Sequence, residues 1–146
     1  AYGNGLTTVN HLGAVVADVD NDGDADLALD KLYLNKGGDA GHWLQLRAIG
    51  GLGDSGVNWA GLGAVVQIEA AGKSFLRQVS GCNGQGGQDA LTLHFGLGEI
   101  DSIERITVRF PGLDEPVIIT GPVAADQKVW VFADGSHGFG WRSPLQ

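Results

Sequence analysis

The chain has 146 residues and a formal net charge of −8, a length that corresponds to one domain and a charge that argues against nucleic acid or an anionic membrane surface as the main partner. No apolar run approaches the roughly 18 residues of a membrane-spanning helix, so we expect no membrane span. Glycine accounts for 25 residues without a G-x-y period, which excludes a collagen triple helix and indicates many tight turns between short strands.

The first segment, residues 1–34, is predicted to form a loose arm, a strand, an acidic loop and a second strand. The two strands are Gly13–Ala17, a short apolar run, and Leu27–Leu34, in which apolar and polar residues alternate except at Lys31. Between them, aspartate occupies every second position over nine residues. These aspartates are Asp18, Asp20, Asp22, Asp24 and Asp26.

The acidic loop, residues 18–26, needs a cation because its carboxylates repel one another and the first basic residue after them is Lys31. Ca²⁺ suits a flexible loop with about six to eight oxygen ligands, whereas Mg²⁺ demands a rigid octahedral geometry. Zn²⁺ is disfavoured because the loop contains no cysteine or histidine. The carboxylates expected to bind Ca²⁺ are those of Asp18, Asp20, Asp22 and Asp26. Asp24 is expected to offer its backbone carbonyl, and Gly23 to permit the sharp turn.

The second half of the acidic loop differs from an EF-hand. An EF-hand has a glutamate at position 12 of its loop, and the corresponding residue here is Leu29. The flanking patterns are also those of strands, whereas helices flank an EF-hand. We therefore expect a calcium turn between two strands, in which the ion either is structural or bridges to a ligand. The alternative is a solvated acidic loop that holds no ion.

The rest of the chain alternates short strand patterns with glycine-rich loops. The predicted strands are Trp43–Ile49, Ala64–Ala71, Phe75–Val79, Leu91–Phe95, Ile103–Phe110, Pro116–Thr120 and Lys128–Phe132. Only Glu99–Glu104 could hold a helical turn, and the tail, residues 134–146, shows no period. About eight or nine short strands predict an all-β fold, either an antiparallel sandwich or a partly open barrel.

Several motifs in this region occur in a recognisable order. They are Leu34-Asn35, His42–Arg47, Gly61–Val66, Arg77–Gly81, Leu93–Gly98, Ile106–Pro111 and Val123–Gln127. With them, residues 35–133 resemble the ASPIC/UnbV domain of the cartilage acidic protein family, and the acidic loop resembles the calcium loop of FG-GAP/VCBS repeats. The resemblance implies a secreted, calcium-binding protein that takes part in adhesion or in contacts with the extracellular matrix.

A propeller of such repeats needs about four or more blades, and one loop cannot supply them. We therefore expect residues 13–34 to pair either with the domain's own sheet or with a second copy, which would give a homodimer. The main prediction is a non-enzymatic calcium-binding module, in which Ca²⁺ orders the acidic loop and the partner is a protein or the extracellular matrix.

The aromatic residues and histidines leave two alternatives open. Trp43 and Trp130 lie in predicted strands and are expected in the core, while Trp59 and Trp141 lie in loops. Exposed aromatics beside a calcium site would serve a calcium-dependent, lectin-like module that binds glycans. A hydrolase is the third interpretation, although the histidines form no HExxH pair and no G-x-S-x-G elbow occurs. His94 is expected to be a surface or hydrogen-bonded side chain.

Overall fold

Short strands joined by tight turns make up the part of the chain that the computed structural model describes. That part comprises residues 13–29, 31–36, 41–51, 56–82 and 87–140. Within these ranges the chain forms no helix, and so none that is long and apolar enough to cross a membrane. The helical turn predicted at Glu99–Glu104 is wrong, because β-structure already begins at Ser102.

Eleven strands occur in the described ranges. In chain order they are β1 (Val15–Ala17), β2 (Asp26–Ala28), β3 (Leu32–Tyr33), β4 (His42–Ile49), β5 (Val65–Ala70), β6 (Lys73–Gln78), β7 (Thr92–Gly98), β8 (Ser102–Arg109), β9 (Val117–Ala124), β10 (Gln127–Phe132) and β11 (His137–Phe139). Two residues, Ala71 and Gly72, connect β5 to β6. Ala71 and Gly72 both have positive φ angles, 49° and 70°, as a two-residue type I′ hairpin turn requires.

The strands form three sheets. The N-terminal sheet has the order β1-β2-β3 and is antiparallel. The sheet that we call the β4 sheet has the order β11-β10-β4-β7, and its β10 and β4 run parallel. The β5 sheet has the order β6-β5-β8-β9 and is antiparallel. None of them closes into a barrel in the described ranges, so the all-β prediction is confirmed in its sandwich form.

The hydrophobic core lies between the β4 and β5 sheets, because alternate residues of each strand face inward. On β4 the inward residues Leu44, Leu46 and Ala48 are fully buried, and Val66 and Ile68 of β5 belong to the same cluster. The inward positions alternate with outward ones, which places Trp43 on the outer face of the β4 sheet. Both Trp43 and Trp130 are half-buried outside this cluster, so the prediction that they lie in the core is wrong.

Two further predictions of local structure differ from the fold. The strand predicted over Leu27–Leu34 is interrupted, because the chain reverses after β2 and Ala28 pairs with Leu32 of β3. Lys31, where the alternation failed, lies in this turn. The tail was predicted to be irregular, but β11 pairs with β10 after the chain turns back through Gly135, whose N–H donates to the Phe132 carbonyl at 3.0 Å. Three residues are too few to show a period.

Candidate metal centre

The acidic loop connects β1 and β2, in which Ala17 pairs with Asp26. The prediction that strands flank the loop is therefore confirmed. Asn21 and Gly23 reverse the chain with φ angles of 60° and 96°, a region that glycine and asparagine enter most readily. The Gly23 N–H donates to Asp18 Oδ2 at 3.1 Å. This turn curls the loop around its own carboxylates.

Three of the predicted ligands come together in the loop. Asp18, Asp20 and Asp22 each offer a carboxylate oxygen within 4.8 Å of the other two. Since Ca²⁺–oxygen bonds are about 2.3–2.6 Å long, two ligands of one ion lie at most about 5 Å apart. The Asp18–Asp20–Asp22 triad therefore has the spacing and the all-oxygen donor set that a calcium ion takes.

Asp18 anchors the triad to the domain and carries an unusual oxygen. Its Oδ2 accepts a hydrogen bond of 2.5 Å from Gln45 Nε2 on β4. Its Oδ1 is buried and has no hydrogen-bond partner among the described residues. A buried carboxylate oxygen without a partner is costly, and a cation is the group that would satisfy it.

Two effects disfavour the charge of Asp20, and the second of them is the repulsion that the sequence predicts. The pKa of its carboxyl is raised above the ordinary value, first by loss of hydration and then by the neighbouring charges of Asp22 and Asp26. A raised carboxyl pKa means that the charged form is disfavoured where it stands. A cation in the triad would reverse this effect.

Asp26 has a different role from the triad. It is 1% exposed, and its two oxygens accept hydrogen bonds of 2.8 Å from the Val19 and Asn35 N–H groups. These hydrogen bonds hold the pKa of Asp26 below its ordinary value. Asp26 thus connects Val19 in the acidic loop to Asn35, which follows β3. That its carboxylate binds an ion remains a prediction.

Asp24 lies beside the triad. Its N–H donates to Asp22 Oδ1 at 2.9 Å, a contact between the backbone and a side chain two residues earlier that is typical of acidic turns. The predicted use of its carbonyl as a ligand also remains a prediction.

The loop rests on two aromatic side chains of the β4 sheet that the sequence reasoning missed as site residues. Gly23 is buried under Trp43, so closely that a Cβ on Gly23 would lie 2.1 Å from Trp43 Nε1. The Gly23 carbonyl hydrogen-bonds His94 Nε2 at 2.5 Å, and the His94 ring stacks on Trp43 with centroids 6.3 Å apart. The prediction of a hydrogen-bonded His94 is confirmed. Strand alternation could have placed Trp43, Gln45 and His94 on one outer face, but no sequence signal showed that the acidic loop covers it.

β1 makes the second connection between the N-terminal sheet and the domain. The Val16 N–H donates to Asp89 Oδ1 at 2.8 Å, and the Ala90 N–H donates to the Val16 carbonyl at 3.1 Å. In the described ranges the N-terminal sheet does not extend either four-stranded sheet. The prediction that residues 13–34 pair with the domain's own sheet is therefore wrong for the described residues. They contact instead the loop at Asp89 and Ala90 and the outer face of the β4 sheet.

A cavity of about 420 Å³ separates the N-terminal sheet from the outer face of the β4 sheet. Asp18, Asp89, Arg77, His94 and Lys128 supply its ionisable side chains. Asp18 belongs both to the lining of the cavity and to the triad, so the cavity and the candidate metal centre are adjacent.

Three further described residues, His42, Cys82 and Trp59, are at least partly exposed. His42 forms an exposed pair with Asp126, with Nδ1 and Oδ2 2.7 Å apart. Cys82 is exposed, and Trp141 lies outside the described residues. Trp59 is 47% exposed, and its carbonyl accepts from the Gly50 N–H beyond the end of β4.

Comparison with protein-family models identifies a family for this chain. The protein-family model described as ASPIC and UnbV matches residues 54–137. Five of the motifs that carry the resemblance fall within that range, whereas Leu34-Asn35, His42–Arg47 and the acidic loop lie before it. No curated protein sequence matches the chain.

Proposed function

This chain belongs to the ASPIC and UnbV family, and from that premise we propose that it is a calcium-binding, extracellular interaction module without enzymatic activity. Ca²⁺ holds the acidic loop against the β4 sheet and so fixes the surface that the N-terminal sheet presents to a protein or matrix partner. The family match covers neither the acidic loop nor a partner. The roles proposed for Ca²⁺ and for a partner therefore rest on the residues of this chain.

One observation carries the proposal, namely the buried Oδ1 of Asp18, which has no hydrogen-bond partner among the described residues. It belongs to a triad whose oxygens are spaced as the ligands of one ion. Exposed acidic clusters are common without an ion, but a buried orphan oxygen within one is a specific reason for a cation. Asp20 and Asp22 are exposed, which leaves room for water or a partner's oxygen as further ligands.

The residues around the triad would couple ion binding to the domain. Asp18 would hold the ion through one oxygen and Gln45 of β4 through the other. Gly23, under Trp43, fixes the height of the loop above the sheet. Bound Ca²⁺ supplies positive charge that cancels the repulsion within the loop. Loops of this kind outside cells bind Ca²⁺ with dissociation constants of about 10⁻⁴–10⁻³ M, and exposed ligands are consistent with that range.

The lectin-like alternative gains no support in the form that places Trp59 beside the acidic loop, and Trp141 lies outside the described residues. Gln45 of β4 lies beneath the acidic loop, and Gly50, the residue after β4, hydrogen-bonds the Trp59 carbonyl; these two points are five residues or about 17 Å apart along the extended chain. This separation along the strand does not favour a single sugar ring that touches both Trp59 and the triad.

Thermal unfolding with and without Ca²⁺ tests the proposal. At about 100 times its dissociation constant, Ca²⁺ is expected to stabilise the protein by about 2.7 kcal/mol, and a chelator to remove that gain. Asp20→Asn removes a charged ligand and keeps an oxygen that can accept the hydrogen bond from the Asp22 backbone, so its calcium affinity should fall at least about tenfold, the loss expected for weakened metal ligation. Asp114→Asn, an exposed aspartate in the turn between β8 and β9, is the matched control and should respond to Ca²⁺ as the unaltered chain does. Equal melting curves with Ca²⁺ and with chelator would contradict the proposal.

A further inference from the structure

The cavity between the N-terminal sheet and the β4 sheet has two cationic side chains in its lining, Lys128 and Arg77. Lys128 is half-buried, and its ammonium lies 5.0 Å from the centre of the Trp130 ring. Arg77 donates through Nε to the His94 carbonyl at 3.3 Å. Neither side chain forms an ion pair with any described residue. Asp18 acts on Lys128 electrostatically from the same cavity wall, but a half-buried ammonium in no close ion pair with a described residue still favours an anionic ligand.

Asp18 connects this cavity to the calcium triad. Without an ion the cavity walls carry two cations, Arg77 and Lys128, and two carboxylates, Asp18 and Asp89, so the opposite charges balance. A calcium ion on Asp18 cancels one of the negative charges. The cavity would then attract anions, and it would do so only when the triad is filled.

We propose that this cavity binds a carboxylate-bearing sugar unit, a uronic acid, in a calcium-dependent manner. The inference rests on the proposed function, because it needs Ca²⁺ on Asp18. Lys128 and Arg77 hold the sugar carboxylate. The walls also contain groups that pair with sugar hydroxyls, namely Asp89, Ser80 and Thr92.

The dimensions of the cavity fit this ligand class. A volume of about 420 Å³ lies at the lower end of the range of small-molecule sites, about 300–1,000 Å³, and so suits one or two sugar rings. The carboxylate of Asp89 accepts hydrogen bonds from hydroxyl groups, which a simple inorganic anion does not offer. The Val16 N–H also binds Asp89, which keeps that wall in place.

Calorimetric titration of the whole chain with glucuronate tests the inference, with glucose as the neutral match. We expect glucuronate to bind in saturating Ca²⁺ and to bind at least about fivefold more weakly in chelator, the lower range of coupling between linked sites. By reciprocity, saturating glucuronate should tighten Ca²⁺ binding by the same factor. An oligosaccharide ending in glucuronate is titrated beside the free sugar, and tighter binding of the oligosaccharide identifies a glycan as the source.

Lys128→Gln should weaken glucuronate binding at least about tenfold, the loss expected for a charge-assisted contact, and should leave Ca²⁺ binding in place. Lys73→Gln, an exposed lysine in the β5–β6 hairpin, is the control and should bind as the unaltered chain does. Calcium binding without glucuronate binding would overturn this inference and leave the proposed function standing. Equal binding of glucose, or glucuronate affinity that ignores Ca²⁺ or Lys128→Gln, would overturn it as well. Absence of calcium binding would contradict the proposed function itself.

Discussion

Gly23→Ala is expected to destabilise the docked acidic loop by about 2–5 kcal/mol. The positive φ of Gly23, 96°, costs a residue with a Cβ about 1–2 kcal/mol. The new methyl group would also lie 2.1 Å from Trp43 Nε1, and such overpacking costs about 1–3 kcal/mol. Because the clash separates the loop from the β4 sheet, calcium affinity should fall with stability. Denaturant unfolding followed by tryptophan fluorescence, together with a calcium titration, measures both.

Gly72→Ala is the matched control for this substitution. Gly72 also has a positive φ, 70°, but a Cβ there would meet nothing within 4 Å. It should show the backbone strain alone, about 1–2 kcal/mol, and leave calcium binding unchanged. If Gly23→Ala cost no more than Gly72→Ala, the contact between the acidic loop and Trp43 would be refuted.

Asp26→Asn is expected to destabilise the protein by about 2–3 kcal/mol, even when Ca²⁺ is absent. Both oxygens of this buried carboxylate accept backbone N–H groups, from Val19 and from Asn35. An asparagine offers one oxygen and turns its NH₂ group towards the other N–H, which leaves a buried donor unsatisfied and removes two charge-assisted hydrogen bonds. The free energy of unfolding in chelator measures the loss. Asp114→Asn, on the exposed surface, should change it little.

The pH dependence of stability separates Asp26 from the triad. Hydrogen bonding lowers the pKa of Asp26 in the folded chain below its ordinary value of 3.8. Its contribution is therefore fully present above about pH 4, the pKa region of an unfolded aspartate. It is lost as the pH falls through the lower, folded value. Stability measured in chelator should fall below pH 4 in the unaltered chain, and less steeply in Asp26→Asn. An identical acid profile in the two proteins would contradict this role.

Much of the sandwich was predictable, because burial of one face of each strand follows a period of two. Leu44, Leu46 and Ala48 alternate with polar residues in the predicted strand Trp43–Ile49, and they are fully buried on the inward face of β4. The same pattern points Trp43 outward. The prediction that Trp43 lies in the core is wrong because the alternation turns it outward, and because its contact with Gly23 depends on a loop distant in sequence.

The candidate metal centre was predictable in its members and only partly in their roles. Aspartates at every second position identified the triad, since local spacing alone brings Asp18, Asp20 and Asp22 together. Asp26 has the same residue type and spacing, yet its oxygens hold backbone N–H groups, one of them on Asn35. Gln45, which holds Asp18, carries no local sequence signal, because its role arises only when two separate sheets pack.

The central claim is that the Asp18–Asp20–Asp22 triad binds Ca²⁺. Terbium luminescence tests it most directly, because Tb³⁺ takes the same oxygen ligands and Trp43, packed on Gly23, is close enough to sensitise it. We predict tryptophan-excited terbium emission that Ca²⁺ displaces and that Asp20→Asn greatly weakens. Absence of such emission, or emission that neither Ca²⁺ nor Asp20→Asn reduces, would contradict the claim.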